Sequence, residues 1–136
     1  MSKYEYFMNK ALSLALKAKG RTSPNPLVGA LVVRGDKIVG RGYHKKAGSP
    51  HAEVEAIDDA GRRAQGATLF VTLEPCTHYG RTPPCVDKII AAGIKKVILG
   101  MLDPNPLNNG KGIDILRGVG LQVEVGFLED KLKRIN

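Results

Sequence analysis

The sequence predicts an α/β fold with three layers, in which a central mixed five-stranded sheet carries helices on both faces. Two observations support this prediction. The first two strand-like segments form a hairpin, and the three later ones alternate with helical segments. With 136 residues, 43% apolar and 25% charged, the chain suits one domain that buries an ordinary core.

The first half of the chain predicts a helix, a hairpin and a second helix. Residues 2–19 carry apolar side chains at helical spacing, and Gly20 follows where a helix would end. The apolar segment LVGALVV, the turn sequence RGDK and the segment IVGRGY together predict the hairpin. The second helix is predicted over residues 50–65, with Ser49 as its N-cap and Pro50 at its first position.

The second half alternates strand and helix. ATLFVTL is predicted to be a buried strand, and the Pro- and Gly-rich segment EPCTHYGRTPPC that follows is predicted to be a loop. Pro84 opens a third helix, and KKVILGM is a strand of the fully buried kind. After the loop DPNPLNNG we expect a short helix over residues 111–118, the strand LQVEV and an amphipathic segment over residues 128–135.

Composition limits the partners and the location. The net charge of +8 favours phosphate-bearing ligands, but the basic residues are scattered, and seven Phe and Tyr residues without a stacking cluster make nucleic-acid binding unlikely. The longest apolar runs are too short to cross a bilayer, and the first ten residues lack the profile of a cleavable signal. We therefore predict a cytoplasmic protein that does not bind membranes, in which Cys76 and Cys85 are not a structural disulfide.

The segment SPHAEVEAI places His51 and Glu53 two residues apart where the second helix begins. Such residues do not share a helical face, but both can approach a site beyond the helix N-terminus. Cys85 lies at the start of the third helix, and Cys76 lies in the loop after the third strand. One imidazole and two thiolates suit zinc and leave a fourth position for water, whose pKa zinc lowers toward neutrality. Glu53 would be the non-ligand carboxylate that moves protons.

Other interpretations of the same residues remain open. The two cysteines could be inert core thiols, or His78 could complete a closed structural zinc site. Glu53 could be a capping carboxylate in the first helical turn, and His44 is expected to be a surface or core residue rather than a ligand.

A family resemblance extends this interpretation. HAE and EPC match the pattern of zinc deaminases, in which His-x-Glu is followed by Pro-Cys-x-x-Cys, but Tyr79 stands at the usual second cysteine position and Cys85 lies further along. The longer loop PCTHYGRTPPC, together with SPNPLVGALVV, GYHKKAGSPHAE and DPNP, resembles the pyrimidine deaminase domain of the bifunctional riboflavin-biosynthesis deaminase/reductase.

The resemblance implies a cytidine deaminase-like fold and hydrolytic release of ammonia from 2,5-diamino-6-(5-phosphoribosylamino)pyrimidin-4(3H)-one. It implies that His51, Cys76 and Cys85 bind zinc and that Glu53 is the general acid and base. It also implies that Asn25 contacts the pyrimidine. Four further residues would lie around the ribosyl phosphate, namely His78, Arg81, Asp103 and Asn105. For Asn25, Asp103 and Asn105 a purely structural role in Pro-rich turns stays open, and Arg81 could be a solvated charge.

Two features depart from the family. Its reductase partner would need some two hundred further residues, so we expect residues 1–136 to form a single deaminase domain, and a fused or separate reductase is a candidate partner. Asn108 stands where the family tends to be apolar. We also expect a homo-oligomer, with faces around Ile89 and Ile94 shared between subunits. The alternative functions are a nucleotide or tRNA adenosine deaminase and, less favoured, a basic nucleic-acid-binding module with structural zinc.

Overall fold

The computed structural model describes residues 2–19, 27–46, 49–77 and 84–126. The helices in this part are α1 (Lys3–Leu16), α2 (Ala52–Ala60), α3 (Cys85–Ala91) and α4 (Lys111–Gly118), and a 3₁₀ turn (Gly61–Ala64) follows α2. The strands are β1 (Gly29–Arg34), β2 (Lys37–Tyr43), β3 (Thr68–Leu73), β4 (Lys96–Met101) and β5 (Gln122–Val125).

The five strands form one mixed sheet in the order β2-β1-β3-β4-β5. β1 is antiparallel to both β2 and β3, whereas β3, β4 and β5 run parallel. Since β3 and β4 are parallel neighbours, the loops that leave their carboxyl ends emerge at the same edge of the sheet. These loops begin at Glu74 and Leu102, and both segments were predicted as loops from the sequence.

Helices cover both faces of the sheet, as predicted. α1 packs on one face, where Phe7 and Met8 are buried in a cluster with Phe70 of β3. The opposite face carries the larger cluster, to which α2, α3 and α4 all contribute buried side chains. The prediction of a three-layer α/β fold with a mixed five-stranded sheet is confirmed.

Two glycines of β2 set how close α2 lies to the sheet. A Cβ atom at Gly42 would lie 2.4 Å from the Ala52 carbonyl oxygen, and one at Gly40 would lie 2.2 Å from the Ala56 carbonyl oxygen. Any larger residue would have to push the helix away from the strand. Gly42 therefore fixes the position of the first turn of α2, directly after His51.

The start of α2 differs from the prediction. His51, not Ser49, is the N-cap residue, and it makes no side-chain capping hydrogen bond. The Ser49 hydroxyl instead donates to the Lys46 carbonyl at 2.6 Å and accepts from the Lys46 N–H at 3.2 Å, so it closes a local turn. The α-helix also ends earlier than predicted, because the chain changes to 3₁₀ geometry at Gly61.

Other predictions can be compared with the structure. α1 ends at Leu16 rather than residue 19, and the predicted segment over residues 128–135 lies outside the described residues. The side chains of Ile89 and Ile94 are buried in the chain's own larger cluster, and the sharing of the faces around them between subunits stays a prediction. Among the described residues, no helix combines the length and apolar character needed to cross a membrane.

Candidate metal centre and active site

His51 lies at the junction between the turn after β2 and the first turn of α2. Its backbone is extended, with φ −70° and ψ 159°, so its side chain leaves the helix at the N-terminal end. Its Nδ1 atom lies 3.0 Å from the Cys85 Sγ and 3.9 Å from the Cys76 Sγ. His51 therefore faces both sulfurs from the helix end, as the predicted site beyond the N-terminus of this helix requires.

The two cysteines are brought together by the start of α3. Cys85 is the first residue of that helix, and the preceding Pro84 is an N-cap without a capping side chain. The Cys85 N–H donates to the Cys76 sulfur at 3.2 Å, and the Val86 N–H donates to the Cys76 carbonyl at 3.3 Å. The N–H groups that a helix start leaves unpaired thus hold Cys76 in place.

The donor set fits zinc. The imidazole nitrogen and the two sulfurs all lie within 4.8 Å of one another, and these three residues form a possible metal-binding group in the described part of the chain. Zinc–sulfur bonds of about 2.3 Å and zinc–nitrogen bonds of about 2.0 Å place tetrahedral ligand atoms roughly 3.5–3.8 Å apart. The two nitrogen–sulfur separations, 3.0 and 3.9 Å, lie within about 0.5 Å of these values, so small side-chain movements would bring these atoms to them. His78, the alternative fourth ligand, lies outside the described residues.

The surroundings of the two cysteines favour ionisation of one of the two thiols. A hydrogen bond from the Cys85 thiol lowers the pKa of Cys76 to about 4, although burial opposes the shift. The same hydrogen bond, followed by burial, raises the pKa of Cys85. A hydrogen bond with Cys76 likewise raises the pKa of His51, and burial opposes it. The sulfur pair therefore gives up its first proton more easily than ordinary thiols do, which suits metal ligation.

Glu53 is the second residue of α2, and only 4% of its surface is exposed. Burial raises the pKa of its carboxyl group, and the nearby His51 and the Cys85 thiol oppose the shift. In the same turn Glu55 makes surface contacts, accepting from the Tyr43 N–H at 3.2 Å and the Lys45 ammonium at 2.6 Å. The two acidic residues are thus separated, and Glu53 is the one beside the candidate metal ligands.

The substrate-binding residues predicted from the sequence are only partly described. Asp103 and Asn105 lie in the loop after β4, whereas Asn25, His78 and Arg81 lie outside the described residues. The Asp103 Oδ1 atom accepts from the Asn105 N–H at 3.0 Å, and the Asn105 Oδ1 atom accepts from the Leu107 N–H at 3.0 Å. Both side chains therefore make the turn contacts that the structural interpretation expects.

Sequence reasoning gave no role to Glu74, which follows β3 directly. Its carboxylate is 3% exposed and accepts backbone hydrogen bonds from the loop after β4 and from the first turn of α4. The donors are Asp103 at 3.1 Å, Gly110 at 2.9 Å, Gly112 at 2.9 Å and Ile113 at 3.4 Å. A charged residue at the end of a buried strand is a signal that could have indicated such a partner.

Two further polar residues are buried near the site. His44 is 3% exposed, its Nδ1 atom lies 3.2 Å from the Pro50 carbonyl oxygen, and its ring is perpendicular to the His51 ring at 5.3 Å. It is thus a core residue, one of the two possibilities expected, and it supports His51. Asn108 is fully buried between the loops that follow β3 and β4.

Comparisons with known proteins agree with this geometry. The family described as "Cytidine and deoxycytidylate deaminase zinc-binding region" matches residues 1–101. The riboflavin biosynthesis protein RibD of Aquifex aeolicus is 61% identical over 96% of this chain, which spans 36% of that relative. The diaminohydroxyphosphoribosylamino-pyrimidine deaminase of Buchnera aphidicola is 47% identical over 98% of this chain, which spans 91% of that relative.

A solved structure gives the same result. The diaminohydroxyphosphoribosylaminopyrimidine deaminase/5-amino-6-(5-phosphoribosylamino)uracil reductase of Thermotoga maritima superposes with a TM-score of 0.92 at 48% identity. The match covers 98% of this chain and 39% of that structure. Like the Aquifex relative, that protein is more than twice as long as the part that this chain spans. The chain belongs to the cytidine and deoxycytidylate deaminase zinc-binding family, and within it to the deaminases of riboflavin biosynthesis.

Proposed function

We propose that this chain catalyses the hydrolytic deamination of 2,5-diamino-6-(5-phosphoribosylamino)pyrimidin-4(3H)-one, releasing ammonia and 5-amino-6-(5-phosphoribosylamino)uracil. One observation carries the proposal. The imidazole of His51 and the sulfurs of Cys76 and Cys85 converge within 4.8 Å, and the buried carboxyl group of Glu53 lies in the helical turn that follows His51. A three-ligand site beside a carboxyl group of raised pKa suits hydrolysis better than a purely structural role.

We propose that His51, Cys76 and Cys85 hold the zinc ion and that Glu53 transfers the protons. Zinc supplies Lewis acidity and lowers the pKa of the attacking water. Glu53 takes a proton from that water as its oxygen forms a bond to the amidine carbon of the pyrimidine. It gives that proton to the ring nitrogen, then takes the second proton from the hydroxyl group now on the carbon and passes it to the amino group. The carbon–nitrogen bond then breaks, ammonia leaves and a carbonyl group remains. Burial raises the pKa of Glu53 above that of an ordinary carboxyl group, which makes its carboxylate a better acceptor of a proton from water.

We propose that five residues in segments around the site bind the substrate. Asn25 would contact the pyrimidine, and the guanidinium of Arg81 with the imidazole of His78 would contact the phosphate. Asp103 and Asn105 lie in the loop that leaves β4, next to the loop that carries Cys76. Their side-chain oxygens accept intrachain hydrogen bonds, and each oxygen keeps a further lone pair for a ligand hydroxyl.

Ammonia release tests the function. We expect the zinc-loaded protein to release ammonia from the phosphoribosylaminopyrimidine but not from cytidine, deoxycytidylate or tRNA. Release from one of these instead would favour the alternative deaminases. Salt-dependent RNA binding without any ammonia release would favour a nucleic-acid-binding module. Zinc is quantified on the same sample, so that an inactive preparation is not mistaken for a different function.

Glu53→Gln tests the mechanism. We expect this variant to keep stoichiometric zinc and to lose activity by about 10² to 10⁴-fold, because the amide cannot transfer the protons. The matched control is Glu55→Gln, which changes an acidic residue of the same helical turn that contacts Tyr43 and Lys45. Near-normal activity of Glu53→Gln would remove Glu53 from the mechanism.

Partners and location are also part of the proposal. The Thermotoga relative is named as a deaminase joined to a reductase, and we propose that a reductase, fused or separate, uses the product of this chain. The phosphorylated pyrimidine is the proposed ligand, and a homo-oligomer in the cytoplasm remains a prediction. The side chains of Ile89 and Ile94 are themselves buried, whereas Leu107, Ile115 and Val119 are exposed apolar side chains that a second subunit could cover.

A further inference from the structure

We propose that Asn108 is a positioning residue for the sugar end of the substrate. Its buried amide holds the Asp103 carboxylate in a fixed orientation relative to the segment that carries Cys76, so that Asp103 can accept a hydrogen bond from a ribose hydroxyl. The inference rests on the proposed function, since that function supplies a ribosyl substrate.

The first observation concerns the oxygen of the Asn108 side chain. Asn108 is fully buried, and its Oδ1 atom accepts from the Thr77 N–H at 3.1 Å and from the Thr77 hydroxyl at 2.8 Å. Thr77 directly follows Cys76, whose sulfur and carbonyl are held by the start of α3. The Cys76 segment is therefore fixed by α3 on one side and by Asn108 on the other.

The second observation concerns the nitrogen of the same amide. The Asn108 Nδ2 atom donates to the Pro75 carbonyl at 3.2 Å and to the Asp103 Oδ2 atom at 3.2 Å. The four contacts determine which way the amide points. Reversing it would place the NH₂ group against the Thr77 N–H, and the oxygen against the Pro75 and Asp103 oxygens. One side chain thus joins the zinc-site loop to a carboxylate of the next loop.

The Asp103 carboxylate is held at both of its oxygens. Oδ1 accepts from the Asn105 N–H at 3.0 Å, and Oδ2 accepts from Asn108. Each oxygen of an ionised carboxylate can accept two hydrogen bonds, so each keeps capacity for one more. Asp103 is only half-buried, which leaves it accessible to a ligand. A fixed acceptor of negative charge suits a sugar hydroxyl and would repel a phosphate.

The competing explanation is that Asn108 only stabilises the loop after β4. A neighbouring residue provides the control for it. Asn109, the next residue, donates from its side chain to the Asp103 main-chain carbonyl at 2.9 Å. It therefore holds the same loop at the same residue without touching the carboxylate. Loss of Asn109 should loosen the loop but leave the carboxylate oriented by Asn108.

The experiment compares Asn108→Val, Asn109→Ala and Asp103→Ala, and the double variant Asp103→Ala with Asn108→Val, all in the zinc-loaded protein. Steady-state ammonia release gives kcat and KM, calorimetry gives the affinity for ribose 5-phosphate, and zinc content is measured throughout. We expect Asn108→Val to raise KM by about 5- to 10-fold and to change kcat by less than about twofold, with zinc retained. In the Asp103→Ala background the same substitution should change KM by less than about twofold.

Several outcomes would overturn the proposal. An unchanged KM for Asn108→Val, an equal rise for Asn109→Ala, or the same rise in the Asp103→Ala background would each show that Asn108 does not act through the carboxylate. Failure of the proposed function is seen separately. If the wild-type protein releases no ammonia but binds ribose 5-phosphate more tightly than Asn108→Val does, the positioning role stands without the deaminase. If it does neither, both proposals are wrong.

Discussion

The N-termini of α3 and α4 offer a direct comparison. Neither helix has a capping side chain from its own N-cap residue, which is Pro84 in α3 and Gly110 in α4. Both receive acceptors from the short segment after β3. At α4 the acceptor is the Glu74 carboxylate, and at α3 it is the Cys76 sulfur.

The acceptors at the two helix starts differ in how much of their hydrogen-bonding capacity is already used. The two Glu74 oxygens are used by four backbone N–H groups, so this carboxylate is committed to holding the loop and helix together. The Cys76 sulfur accepts one backbone N–H, from Cys85, and its other contacts are with the Cys85 thiol and the His51 ring, the two groups that would bind a metal together with it. Partners of a helix N-terminus therefore indicate function only when backbone N–H groups do not use all of their bonding capacity.

The largest effect is expected from replacing the cysteine at the start of α3. Cys85→Ser should lose stoichiometric zinc, with activity falling by several orders of magnitude, because a serine hydroxyl is a poor zinc ligand. Metal analysis and ammonia release measure this. The control Asp87→Asn changes an exposed acidic residue of the same helical turn and should keep its zinc. Full zinc content in Cys85→Ser would show that Cys85 is not a ligand.

Breaking the α4 end should affect stability more than chemistry. Glu74→Gln leaves one acceptor oxygen where two are used, so buried N–H groups lose partners at a cost of about 2–4 kcal/mol in the free energy of unfolding. Urea denaturation measures the change. Glu124→Gln, which alters a carboxylate paired with Lys96 on the surface, should change stability by less than about 1 kcal/mol. Equal effects of the two substitutions would contradict the role of Glu74.

At the start of α2, close packing of the helix against β2 should set the position of the first helical turn. Gly42→Ala should cost about 1–3 kcal/mol in unfolding free energy, because the new Cβ atom would overlap the Ala52 carbonyl. Gly118→Ala is the control, since nothing lies within 4 Å of a Cβ atom there and alanine favours the helix. Thermal melting of the two variants should shift in opposite directions. A stable Gly42→Ala variant would mean that α2 moves freely.

The smallest expected effect concerns Arg81, between Cys76 and Cys85 in the sequence. Arg81→Ala should raise KM for the phosphorylated substrate by about 3- to 10-fold, because a charged hydrogen bond to phosphate is lost. It should leave KM for the dephosphorylated substrate unchanged. Arg62→Ala, on the 3₁₀ turn after α2, is the matched control. An unchanged KM for the phosphorylated substrate would exclude Arg81 from the phosphate site.

Much of the fold could be predicted from the sequence, because its apolar segments are short and clearly separated. α4 covers the predicted residues, and the strands differ from their predicted bounds by two residues at most. The start of α2 was placed too early, since Ser49 satisfies the Lys46 backbone instead of capping the helix. Local sequence does not determine which of two nearby partners a hydroxyl chooses.

The sequence indicated the candidate ligands and the candidate proton carrier but not the residues that support them. His51, Glu53, Cys76 and Cys85 were indicated by residue type and spacing, and the structure brings the three candidate ligands together. Glu74 and Asn108 were missed as supports, because their roles depend on backbone groups of loops distant in sequence. Glu74 meets Gly112, 38 residues away, and Asn108 meets Thr77, 31 residues away. Zinc binding by His51, Cys76 and Cys85 and proton transfer by Glu53 stay predictions until tested.

The hairpin contains an irregularity that bears on how the chain can be altered. The pairing between β1 and β2 shifts after Val32, which faces Gly40, to Val33, which faces Ile38, so Val39 is an extra residue. Removing Val39 would shorten the strand yet leave Gly40 and Gly42 directed at α2, at the cost of the contacts that Val39 makes with the larger cluster. Removing Arg41 instead would reverse the alternation and turn one glycine away. The bulge is thus a place where evolution can change the length of this hairpin without displacing the helix that carries Glu53.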